Sequence, residues 1–181
     1  SKKSKKFGIK LDFKAIEFVD PLKDNRINSL ASDLFELRKT KGLTFDKAKN
    51  LLEEGHAYLG MMLVKKGIGD GFVNGAIHRS SADTIKPALQ IIKTKPHVSK
   101  ISSFMSMVLP DDRKFIFADC ALMINPTAEE LAEIAFLSAQ SAKLFNIDPK
   151  IAMLSFSTKG SGKDISVDKM RIATELAKTK Y

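Results

Sequence analysis

The chain has 181 residues, 44% of them hydrophobic, enough for one ordinary buried core or two modest ones. No apolar run approaches the roughly 20 residues that span a bilayer, and the basic start Ser1-Lys2-Lys3-Ser4-Lys5-Lys6 leads into no apolar secretory segment; no membrane partner is expected. The formal charge of +9 is mostly lysine spread along the whole chain. No nucleic-acid module accompanies it, so solvated surface is favoured over a nucleic-acid partner. The single cysteine, Cys120, cannot form an internal disulfide and fits a reducing, cytoplasmic compartment.

Elements alternate along the chain. Ala15-Ile16-Glu17-Phe18-Val19 reads as a strand, and Asp20-Pro21 introduces a helix with Ile27, Leu30, Leu34, Phe35 and Leu37 along one side, ending near Gly42. Thr44 is an N-cap for a helix through Leu51 and Leu52 that Gly55 closes; His56 to Lys65 forms another, ending in the Gly67 to Gly71 turn. A strand at Phe72-Val73-Asn74-Gly75-Ala76-Ile77 precedes a helix in which Pro87 is assigned to the first turn. Ile101 to Leu109 and Phe115-Ile116-Phe117-Ala118 make an antiparallel hairpin across Pro110-Asp111-Asp112-Arg113. Thr127-Ala128-Glu129-Glu130 is a capping box opening an amphipathic helix, Ile151-Ala152-Met153-Leu154-Ser155-Phe156 is a buried-type strand, and a last helix runs from about Ser166 towards Lys178.

This alternation predicts an α/β fold with a mainly parallel sheet covered on both faces, a three-layer αβα arrangement. The polar stretch Lys93-Thr94-Lys95-Pro96-His97 divides it into residues 1–95 and 96–181, although a single continuous sheet fits the same residues.

Two hydroxyl-rich loops stand out at predicted strand ends: His78-Arg79-Ser80-Ser81-Ala82-Asp83-Thr84-Ile85-Lys86-Pro87 and Ser155-Phe156-Ser157-Thr158-Lys159-Gly160-Ser161-Gly162-Lys163. Helix N-termini with nearby Ser, Thr and Lys favour anions, yet the same residues serve equally as caps and turns. The second loop is not a nucleotide-triphosphatase phosphate loop, because Ser157 and Asp164 stand where glycine and a magnesium-binding hydroxyl are required, and no dinucleotide fingerprint follows a strand. His56, His78 and His97 are scattered and no metal spacing exists. Cys120 reads more readily as a structural thiol than as a nucleophile, and Arg38-Lys39-Thr40-Lys41 suits a helix C-terminus.

Four ordered blocks resemble phosphotransacetylases, also called phosphate acetyltransferases. They are Gly75-Ala76-Ile77-His78 with Ser81 through Thr94, Phe117-Ala118-Asp119-Cys120-Ala121, Asn125 through Ala135, and Met153 through Ser161. The similarity runs from about Asp20 to Tyr181 and includes Leu37 to Gly42 with Thr44. It implies two α/β domains of the isocitrate/isopropylmalate dehydrogenase type, here partial, with the active site in a cleft between them, and a homodimer when full length. It also implies reversible acetyl transfer between coenzyme A and phosphate. Coenzyme A, acetyl-CoA, acetyl phosphate and phosphate are then the small-molecule partners, with no covalently bound cofactor and no metal. A base takes the thiol proton, and the thiolate attacks acetyl phosphate directly.

By the same resemblance Arg38 matches an arginine associated with the phosphate portion of coenzyme A. Ser81 and Thr84 fall in the substrate loop, and Lys86 stands where arginine is usual, keeping the charge but losing the planar two-pronged contact. Ser157, Thr158, Gly160 and Ser161 match the second loop, and Cys120 a cysteine near the site. The base and the Ser-Arg pair of the family's C-terminal stretch have no counterparts in these residues. The chain therefore reads as an internal fragment, inactive alone, with its catalytic residues beyond Tyr181. Butyryl transfer and a non-catalytic module that binds coenzyme A or phosphate are the competing readings.

Overall fold

The computed structural model describes all residues except 1–3, 5, 77–79, 159 and 160. The chain divides into two units, Ser1–Lys93 and Thr94–Tyr181. In the first, helix α1 (Ile27–Arg38) buries Ile27, Leu30, Ala31 and Leu34, the i, i+3, i+4, i+7 stripe of a helix with one face on a core. A 3₁₀ turn, Lys39–Lys41, ends it, and Gly42 supplies the left-handed residue at φ 80° that reverses the chain. Thr44 caps α2 (Phe45–Glu54), its hydroxyl accepting from the Lys47 N–H at 3.4 Å. Helix α3 (His56–Lys65) follows at Gly55, and α4 (Ala82–Ile91) completes the set. Their core centres on Leu34, Leu52, Met62 and Ile91, all fully buried.

Helix α4 begins a turn earlier than the sequence predicts. The carbonyls of Ser80 and Ser81 accept from the N–H groups of Asp83, Thr84 and Ile85 and nucleate the helix there, which leaves Pro87 inside it rather than in its first turn. Pro87 lacks the N–H that would bond to Asp83. Its ring is fully buried, so apolar burial offsets the lost bond.

The predicted strand 15–19 does not form. Phe13–Ala15 is a 3₁₀ turn capped by Asp12, and residues 16–20 join no ladder. Arg26 instead anchors this segment, donating to Asp24 at 2.5 and 2.9 Å and to Glu17 at 2.7 Å.

In the second unit β1 (Phe104–Val108) and β2 (Lys114–Ala118) form the predicted antiparallel hairpin, with Phe104 opposite Ala118 and Val108 opposite Lys114. The Leu109 N–H donates to the Arg113 carbonyl at 2.9 Å to close the turn. Both halves of the capping box on α5 (Ala128–Leu144) are present: Glu130 N–H to Thr127 Oγ1 at 3.2 Å, and Thr127 N–H to Glu130 Oε2 at 2.9 Å. Helix α6 (Ile165–Lys180) packs on α5, burying Val167 and Ala173 on its side and Ala132, Ile134, Ala135 and Ala142 on the other.

The architecture is thus mixed α/β, but the described residues contain no parallel ladder. Residues 72–75 and 151–155 run without strand partners, and Ile77 lies outside the described residues. A strand is defined by the neighbour it bonds to, so apolar β-type composition alone does not make one. Within the second unit, β2, α5 and residues 147–154 instead border an open, largely apolar groove of about 700 Å³.

Two substitutions test this packing. A Cβ on Gly60 of α3 would lie 2.2 Å from the Phe72 ring. Gly60→Ala is expected to lower stability by about 1–2 kcal/mol, overpacking of ~1–3 exceeding a helix-propensity gain of up to ~1. Thr127→Ala is expected to cost about 1 kcal/mol; urea denaturation measures both.

Candidate functional site

In the first unit the candidate residues gather at the C-terminus of α1 and the start of α4. Arg38 closes α1, half-buried, and has no carboxylate within ion-pair distance among the described residues. Its charge acts on Tyr58 of α3. Burial pushes the Tyr58 phenol up from its ordinary value, and the Arg38 charge pulls it partly back. The phenol O–H donates to Gln90 Oε1 on α4 at 2.8 Å. Gln90 lies one turn beyond Lys86 on α4. Lys86 is exposed and also lacks a carboxylate partner among the described residues.

The N-terminus of α4 offers less to an anion than the sequence suggests. The N–H groups of Asp83, Thr84 and Ile85 already donate to Ser80 and Ser81 carbonyls at 3.0–3.2 Å. The candidate side chains here are the exposed Ser81, which makes no capping bond, the half-buried Thr84, and the exposed Lys86. Thr84 Oγ1 accepts from Asn74 Nδ2 at 2.7 Å. His78 and Arg79 lie outside the described residues.

The second loop behaves mainly as a turn. Ser157 Oγ accepts from the Gly162 N–H at 2.7 Å, and Ser155 Oγ accepts from the Ser157 N–H at 3.2 Å while donating to the Ser157 carbonyl at 3.1 Å. Ser161 Oγ stands 3.4 Å from Ser157 Oγ, and Thr158 accepts on its carbonyl from the Ser161 N–H. Thr158 and Ser161 keep exposed side chains, whereas Gly160 lies outside the described residues. The next helix, α6, opens on Asp164, whose carboxylate accepts from Ser166 N–H at 2.8 Å and Ser166 Oγ at 2.6 Å. Those Ser166 bonds hold the Asp164 carboxyl below its ordinary value. The Ser166 N–H at the start of α6 is thereby spent on an internal carboxylate.

Asp119, directly after β2, is a hydrogen-bonding hub. It accepts from the hydroxyl and N–H of Ser103 and from the N–H groups of Ala121, Leu122 and Met123. Burial raises its pKa, but the Ser103 hydroxyl and those three N–H groups outweigh burial and bring it to about 2. Cys120 beside it is exposed, its thiol donating to the Phe117 carbonyl at 3.0 Å. Among the described residues no group of three or more His, Cys, Asp or Glu could hold a metal ion, and no helix is long and apolar enough to cross a membrane.

The sequence matches the family described as "Phosphate acetyl/butaryl transferase" over residues 1–181. The chain belongs to that family. Among its curated relatives, the phosphate acetyltransferase of Thermoanaerobacterium thermosaccharolyticum is 49% identical over 174 residues, covering 93% of this chain and 52% of the relative. That of Bacillus subtilis is 45% identical over 172 residues, covering 95% and 52%. Among solved structures, the EutD phosphotransacetylase from Staphylococcus aureus superposes with a TM-score of 0.81 at 44% identity, over 99% of this chain and 52% of that one. A phosphotransacetylase from Streptococcus pyogenes gives 0.78 at 49%, over 96% and 52%. The chain spans about half the length of these phosphate acyltransferase relatives. Tyr58, Asn74 and Gln90, which the sequence reading did not single out, join the candidate residues only through contacts across 10 to 32 positions.

The Asp119 hub carries a pH signature. Its folded pKa lies below the ordinary value of 3.8, so its contribution is full above about pH 4 and vanishes as pH falls through about 2. Asp119→Asn is expected to lower the urea midpoint at neutral pH, with the gap to wild type closing below about pH 3. A gap independent of pH would mean that the charge on Asp119 carries none of the stabilisation.

Proposed function

We propose that the chain is the substrate-binding half of an enzyme that moves an acetyl group reversibly between coenzyme A and inorganic phosphate. The observation that carries this reading is the pair Arg38 and Lys86, two cations without carboxylate partners among the described residues, with the Ser81 and Thr84 hydroxyls on the same helix start as Lys86. Family membership and the relatives named phosphate acetyltransferase support the acetyl reading.

In the direction of acetyl-CoA formation, the coenzyme A thiol gives its proton to a base and the sulfur attacks the acetyl carbonyl. The carbon–oxygen bond to phosphate then breaks, and phosphate leaves with the electron pair. Arg38 holds the phosphate portion of coenzyme A. Ser81, Thr84 and Lys86 hold the phosphoryl end of acetyl phosphate, where fixed donors and positive charge favour the leaving anion. Such chemistry needs neither a metal nor a protein nucleophile, so Cys120 is a bystander. Asp119 is unfit as the base, since a carboxylate held at about 2 has little affinity for a thiol proton. We place the base in the half of the relatives' length that this chain does not span. The same half would complete the three-layer, isocitrate/isopropylmalate dehydrogenase-like sheet around the unpaired segments 16–20, 72–75 and 151–155. The complete enzyme is proposed as a cytoplasmic homodimer with no nucleic-acid partner.

Acetyl-CoA formation from acetyl phosphate and coenzyme A tests the reading. The full-length protein is expected to turn over, and residues 1–181 alone to show essentially none. Because the family description names butaryl as well as acetyl transfer, butyryl phosphate is the informative competing substrate, and a clear preference for it would replace the acetyl assignment. In the full-length enzyme Lys86→Ala is expected to raise KM for acetyl phosphate roughly tenfold, the size of one lost charge-assisted bond. Unchanged kinetics would place Lys86 outside the site.

A further inference from the structure

We propose that Asn74 is a positioning residue that turns Thr84 into a dedicated hydrogen-bond donor for the phosphoryl group; this rests on the function proposed above. A threonine hydroxyl has one proton and two lone pairs, and its rotor settles according to its neighbours. Asn74 Nδ2 donates to Thr84 Oγ1 at 2.7 Å, and both side chains are half-buried. An amide NH₂ only donates, so this bond occupies a lone pair of Thr84 and leaves its proton directed elsewhere.

Among the described residues Thr84 Oγ1 makes no bond as a donor. A threonine in a helix commonly bonds back to the carbonyl four residues earlier, as Thr174 does to Met170 at 2.7 Å and Thr179 to Glu175 at 2.9 Å. For Thr84 that carbonyl belongs to Ser80, and among the described residues Thr84 makes no such back-bond. A phosphoryl oxygen beside Thr84 and Lys86 is the acceptor that fits, because it offers only lone pairs and gains a charge-assisted bond. Asn74 arrives from the extended segment 72–75, ten positions before Thr84. The bond therefore also ties that segment to the first turn of α4, fixing the hydroxyl in direction as well as in place.

The test uses the full-length enzyme and initial rates with acetyl phosphate and coenzyme A varied separately. Asn74→Ala is expected to raise KM for acetyl phosphate about fivefold to tenfold, with KM for coenzyme A unchanged. Thr84→Val is expected to produce at least the same rise, and adding Asn74→Ala to it no further one, because the amide acts only through the hydroxyl. Asn74→Asp keeps the shape but replaces the donor with an acceptor, so it should draw in the Thr84 proton and raise KM for acetyl phosphate at least as much, even if the alanine variant folds poorly. Unchanged KM in both Asn74 variants, an equal rise for both substrates, or additivity with Thr84→Val would overturn the role of Asn74 while leaving acetyl transfer intact. A full-length protein that transfers no acetyl group would overturn the proposed function, and this inference with it.

Discussion

Burial of Leu34, Leu52, Met62 and Ile91 against one another is the constraint on which the first unit depends. Each side chain comes from a different helix, so their mutual exclusion of water fixes four helices at once. Ile91 and Pro87 pin one side of α4 into that core, which leaves Lys86 exposed and Thr84 half-buried on the remaining surface. The buried Pro87 belongs to the same logic: a ring that breaks one helical bond is retained where its apolar contact makes up the loss. The polar bond from Tyr58 to Gln90 then adds direction to what apolar contact only brings near.

A different economy governs the second unit. Its buried residues are mostly small, alanines from α5 and α6 with Ile134 and Val167, so specific polar contacts carry more of the definition. The Asp119 carboxylate and the Ser103 hydroxyl together collect the N–H groups of residues 120–123 and tie the start of β1 to the exit of β2. These N–H groups would otherwise form a cradle for an external anion. The protein fills the cradle with its own carboxylate, as it does with Asp164 at the start of α6. The backbone N–H groups at these two places are thereby spent on the protein's own carboxylates.

Local signals were legible in the sequence wherever the partner lay within a few residues. Thr44, Gly42, Gly55 and the Thr127–Glu130 box marked helix ends correctly because capping is decided within a turn. The β1–β2 hairpin was legible for the same reason, since a short connection forces antiparallel pairing. Ala15 to Val19, Phe72 to Ile77 and Ile151 to Phe156 carry equally strand-like composition, yet their described residues join no ladder, because pairing depends on neighbours distant in sequence. Of the candidate site, Arg38, Ser81, Thr84 and Lys86 were identified by motif. Asn74, Tyr58 and Gln90 are ordinary residues in ordinary patterns, and only a distant contact gives them a role.

The sequence by itself determined the helices, the hairpin, the family and the residue types available for binding phosphate, because each follows from short-range spacing or an ordered motif. Tertiary structure decided which of those residues remain free to bind. It spent the N–H groups of Asp83, Thr84 and Ile85 and the Ser155 and Ser157 hydroxyls in internal bonds, and it left Arg38 and Lys86 without carboxylate partners among the described residues. Whether a donor is spent or available depends on which group folding brings to within about 3 Å of it, and no local pattern of residues encodes that distance.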